Sequence, residues 1–145
     1  MRGLLLVLLV GCTISPGDSG TFDPGAGQEC RSDSACSNGD VCTRTSVCLP
    51  PSQVRAVHAM WTLSGEPASE LSCSDAPDLK IKLHASTTDA RLEFVPVPCV
   101  AGKFSVDKLP RSFDRVELGP ADSSNGWRSA SFDAVTGEAF LDLPL

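Results

Sequence analysis

Only two histidines occur in the 145 residues, and the sequence contains no H-E-x-x-H, no G-x-S-x-G, no phosphate loop and no paired-carboxylate motif. Each of those patterns places particular chemistry at a fixed spacing, so their absence removes the common hydrolase, metalloprotease and nucleotide-binding readings. The chain also lacks a basic excess. Twelve Lys and Arg against eighteen Asp and Glu leave a net charge of −6. An acidic surface repels phosphate backbones, which excludes nucleic acid as a partner, and it offers no basic patch for anionic headgroups. No apolar run is long enough to span a bilayer as a helix; Leu4 to Val10 is an unbroken stretch of only seven.

That short run follows Met1-Arg2-Gly3 with its single positive charge, the n-region and h-region pattern of an export signal. It ends in Leu9-Val10-Gly11-Cys12, which resembles the lipobox of bacterial lipoproteins. A small residue before the cysteine lets the peptidase reach the bond, and a thiolate is nucleophilic enough to take the lipid. The resemblance implies a signal peptide over 1–11, cleavage before Cys12, a diacylglyceryl group on its sulfur, and an acyl chain on the new amine. Two signals of this kind give stable anchoring where one chain binds only marginally. In Gram-negative members of that family an Asp after the cysteine marks inner-membrane retention. Thr13 therefore implies the outer membrane.

Seven cysteines are present, an odd number that an exported protein must account for. Setting Cys12 aside as lipidated leaves six, which suits three disulfides in an oxidising compartment. Cys30, Cys36, Cys42 and Cys48 are separated by five residues each, and only Val41 and Val47 between them can pack. So little apolar surface cannot support a core, and cross-links must hold the segment. Three pairings are open; the interleaved Cys30–Cys42 with Cys36–Cys48 is preferred. Zinc fits less well, because structural zinc sites favour cysteine pairs two to four residues apart. Asp33, Asn38 and Asp40 lack the spacing of a calcium loop and suit turn hydrogen bonds instead, with Asn38-Gly39 marking a tight turn. Cys30, Ser32, Asp33, Cys36, Gly39, Cys42 and Cys48 are similar to short Cys-rich modules of secreted deltaproteobacterial lipoproteins, which implies a spacer or interaction knuckle. Cys73 and Cys99 form the remaining pair.

Composition divides the rest. Residues 12–29 are rich in Gly, Ser, Pro and Asp and read as a lipidated N-terminus with a flexible linker, roughly 20–25 Å in reach as a coil. The Cys-rich module occupies 30–50. From 51 to 145 the apolar period is two. Val57, Ala59, Trp61 and Leu63 alternate with polar neighbours, as do Leu79, Ile81, Leu83 and Ala85. Shorter runs follow at Leu92 and Phe94, Phe104 and Val106, Val116 and Leu118, Ala130 and Phe132, and Ala139, Leu141 and Leu143. About seven short strands separated by turn residues predict an all-β fold, a single antiparallel β-sandwich. The prolines, including Pro96, Pro98 and Pro110, are expected at loops and strand ends.

One stretch, Gly102-Lys-Phe104-Ser-Val106-Asp-Lys-Leu109-Pro110-Arg-Ser-Phe113-Asp-Arg-Val116-Glu-Leu118, resembles transthyretin-like and carboxypeptidase-regulatory-like sandwich domains. It implies a strand from Gly102 capped by Leu109-Pro110, with Phe113 opening the neighbouring antiparallel strand. Arg111-Ser112 stands where that family often has a glycine, and Phe113 where it often has Tyr. Such domains are usually non-catalytic, so the resemblance speaks to fold more than function.

The expected protein is therefore not an enzyme and uses no cofactor and no metal. It is a membrane-anchored envelope lipoprotein displaying a sandwich, with the membrane as partner through its lipid and an envelope protein or glycan as a further one. The alternative is a carbohydrate- or protein-binding module, for which Trp127, beside the Asn125-Gly126 turn, is the binding candidate. His58 and His84 fall on polar faces of separate strands, where solvated imidazoles are the simpler reading than a shared metal.

Overall fold

The computed structural model describes residues 28–144. The signal, Cys12 and nearly all of the linker lie outside the described residues. Ten strands follow: β1 (Val41–Cys42), β2 (Cys48–Leu49), β3 (Val54–Leu63), β4 (Glu66–Pro67), β5 (Asp78–Ala85), β6 (Arg91–Pro98), β7 (Lys103–Pro110), β8 (Phe113–Pro120), β9 (Arg128–Ser131) and β10 (Glu138–Leu143). Among the described residues the only helical elements are three-residue 3-10 turns.

β3 to β10 form the sandwich. In the first sheet β3 is central, paired with β10 on one side and with β7 and β4 along the other. The second sheet has the order β6-β5-β8-β9. The inward residues are those of the period-two pattern. Val57, Ala59, Trp61 and Leu63 meet Leu79, Ile81, Leu83 and Ala85 across the core, and Val116, Leu118, Ala139, Leu141 and Leu143 join them. All of these are buried, several completely. Each fully buried aliphatic side chain contributes roughly 1.5–3 kcal/mol, which is how so small a domain closes. The sheets are antiparallel except that β10 runs parallel to β3.

Three strand pairings slip phase, one of them β5 with β8 between His84 and Ala85. In β6, Leu79 opposes Val97 while Ile81 opposes Phe94, so two residues, Val95 and Pro96, face one. This bulge carries the chain through Pro96, inside the strand and not at its end as expected. β6 is an edge strand, so a missing N–H there interrupts no ladder. In β7, Arg55 opposes Leu109 while Val57 opposes Val106, and Lys108 takes a left-handed conformation with φ 51°. The extra residue returns Leu109 to the core and turns Asp107 and Lys108 outward together.

The resemblance around Gly102 to Leu118 needs one correction. Phe113 does not open the neighbour of β7. β7 belongs to the first sheet and β8 to the second, and the Arg111-Ser112 turn carries the chain between layers. Leu109 and Phe113, buried on either side of that turn, pack into the core from opposite sheets.

The Cys-rich module is held as inferred from its composition. Cys30 pairs with Cys42 and Cys36 with Cys48, around the two-stranded β1-β2 ribbon. Asn38 and Gly39 form the tight turn, with φ 58° and 79°. The module reaches back to Gln28, whose carbonyl accepts the Cys48 N–H at 2.8 Å. It docks on the bulge of β7. The Arg44 N–H donates to the Lys108 carbonyl at 3.1 Å, the Arg44 guanidinium pairs with Asp107, and Lys108 Nζ lies 2.6 Å from Asp33 Oδ2.

This docking is acid-sensitive. Lys108 and then the Cys42 N–H hold the Asp33 carboxyl below the usual carboxylate range, and Arg44 does the same for Asp107. A depressed folded-state pKa means stabilisation that is complete above the unfolded value, near 3.9, and disappears as pH falls through the folded one. Hydrogen exchange should therefore show the Arg44 amide losing protection below about pH 4, while the Ile81 amide keeps it. Equal protection of Arg44 at pH 6 and pH 2 would contradict this account.

Candidate functional site

Trp127 lies where the second sheet meets the loop over 121–127. Its indole sits flat on Gly119 of β8: a Cβ built at Gly119 would fall 2.5 Å from Trp127 Cδ2. Any other residue at 119 would displace the ring. The indole Nε1–H donates to the Ser123 carbonyl at 2.8 Å, which ties the ring to its own loop. The ring is half-buried.

On the outer face of this sheet the alternation of β5 presents Lys80, Lys82 and His84. Register places Lys80 opposite Gly119 and Lys82 opposite Glu117. Lys82 Nζ lies 4.1 Å from the Trp127 ring centroid, a cation–π contact. Glu117 lies 3.2 Å from His84 Nε2 and 3.7 Å from Arg115. His84 Nε2 and the Glu117 carboxylate are close without hydrogen-bond alignment. Together Lys80, Lys82, Glu117, Ser123, Trp127 and Arg128 border an open concavity of about 600 Å³, within the 300–1,000 Å³ usual for small-ligand sites.

The other sequence candidates do not converge on it. His58 lies on the outer face of the first sheet, bonded to Ser105 Oγ at 2.9 Å, and His84 on the outer face of the second. The whole sandwich separates them, so they cannot share an ion. Asp33 accepts the Cys42 N–H at 2.9 Å, a bond across nine residues that ties the 3-10 turn to β1 instead of closing a local turn as expected. The sulfurs of Cys30, Cys36 and Cys48 lie within 4.8 Å of one another. They do so because two disulfides are adjacent, and a disulfide sulfur offers no thiolate to a metal. Cys73 pairs with Cys99 beneath Trp61, whose Nε1–H donates to the Cys99 carbonyl at 2.9 Å. A separate exposed apolar group, Phe140, stands on the outer face of β10 near Met60.

Sequence reasoning singled out Trp127 but not Lys80, Lys82 or Gly119. The Lys-x-Lys pattern on one strand face was the visible signal for the cations. Their meeting with Trp127 depends on the β5·β8 register, which no local pattern encodes. No protein-family model matches the chain, and searches of curated proteins and of solved structures return no match.

Proposed function

We propose that this is a lipid-anchored, non-catalytic protein of the bacterial cell envelope, held at the outer membrane through Cys12, that displays a β-sandwich on a disulfide-bonded stalk. One observation carries the reading. All six cysteines from Cys30 to Cys99 are consumed in three disulfides with one another. None is left to pair with Cys12, the residue at the lipobox, so the odd sulfur is the one with a separate chemical use.

The disulfides also suit an oxidising compartment. The non-enzymatic part rests on the missing catalytic motifs and on the two histidines standing on opposite outer faces. Replacing Cys12 by Ser should move nearly all of the protein from the membrane fraction to the soluble one, because both acyl attachments depend on that residue. The wild-type polypeptide extracted with detergent should have an intact mass beginning at Cys12 with acyl chains added. An unchanged distribution of Cys12→Ser, or a mass that starts at Met1, would overturn the anchor.

A further inference from the structure

The geometry points to the Trp127 concavity as a binding site for an acidic saccharide, a sugar bearing a carboxylate or phosphate. This goes beyond the anchoring reading and does not depend on it.

The argument begins with charge. Among the described residues neither Lys80 nor Lys82 lies within 4.0 Å of a carboxylate. Lys82 is positioned by the indole instead. A carboxylate partner would neutralise the ammonium, whereas a ring face holds it in place with its charge intact and N–H donors still free. Glu117, the nearest acid on β8, borders the concavity but has its close contacts with His84 and Arg115. Lys80, Lys82 and Arg128 against Glu117 and Asp122 leave the border of the concavity cationic in a chain of net charge −6, which favours an anion.

The other borders narrow the class. Ser123, Ser124 and Ser129 supply hydroxyls and Asp122 a carboxylate, the donors and acceptors that sugar hydroxyls use. Trp127, with Gly119 against its ring and Lys82 4.1 Å from its centroid, supplies the exposed part of its indole as an apolar border for the C–H surface of a pyranose. That border is set in advance: Gly119 lies under it and the Ser123 carbonyl fixes its edge. A preorganised border lowers the ordering cost of binding. An acidic protein partner fits less well, since a protein interface centres on a broad apolar patch and Trp127 is here the single large apolar side chain.

The test uses the detergent-extracted full chain and isothermal calorimetry. The probes are a galacturonic acid trisaccharide, its methyl-esterified uncharged form, a hexose phosphate and a poly-glutamate peptide. Binding of the acid trisaccharide or the hexose phosphate is expected, and which of the two binds better identifies the anion. The ester should bind at least about tenfold more weakly, and raised salt should weaken the acid form. Lys82→Gln should lose about tenfold in affinity, and Lys80→Gln with Lys82→Gln should abolish binding, with thermal unfolding unchanged in both. Equal binding of acid and ester would overturn the proposal, as would binding of poly-glutamate in preference to the sugars, or no binding of either acidic sugar.

Discussion

Trp61→Ala should destabilise the sandwich by about 3–5 kcal/mol, the range for removing a large aromatic from a packed core. Trp61 is almost fully buried on β3, between the strand register with β10 and the Cys73–Cys99 bridge. Truncation leaves a cavity that neighbouring side chains only partly fill. It also removes the indole N–H bond to the Cys99 carbonyl, which keeps the Gly102 N–H as a donor at 3.2 Å, so this loss adds only about 0.5–1.5 kcal/mol. Trp61→Phe separates the two contributions, keeping most of the apolar volume while losing the hydrogen bond. Urea unfolding should place Phe between wild type and Ala. If Ala and Phe were equally mild, the core would not be organised around this residue.

Removing the Cys73–Cys99 bridge by Cys73→Ala with Cys99→Ala should cost about 3.5 kcal/mol, the loop-closure entropy of a cross-link spanning 26 residues. For a domain of this size that is a large share of the total. Substitution is the correct perturbation here, because a reductant would open the two disulfides of the Cys-rich module as well. The bridge holds Cys99 where its carbonyl receives the Trp61 indole, so the two effects are coupled. A double-mutant cycle between Trp61→Ala and the bridge should give less than the sum of the separate losses. Full additivity would mean that the carbonyl keeps its position without the bridge.

Much of this fold was legible in the alternation of apolar residues. Trp61, Leu83, Leu118 and Leu141 lie inward because every second residue of a strand shares a face, a rule that needs no partner. Where pairing partners matter, the sequence was silent. The phase slips at Phe94 to Val97 and Val106 to Leu109 are set by the opposing strands. The direction of β10 beside β3 is likewise a tertiary choice, since alternation reports a face and not an orientation. The ion pair of Asp33 with Lys108 joins residues 75 apart. At the Trp127 site the aromatic was visible, but Gly119, the residue that makes room for it, looked like any strand-end glycine.

The bulge of β7 has an effect on how molecules meet one another. β7 is the rim of its sheet, with backbone groups that a second chain could extend into a shared ribbon. At Lys108 that rim is kinked, and the Arg44 N–H already occupies the outward carbonyl. The disulfide-bonded segment is thus a stopper on a surface that would otherwise be sticky. Pairing of two copies through this stretch of β7 is thereby obstructed, while β6, β9 and β10 remain the other sheet edges.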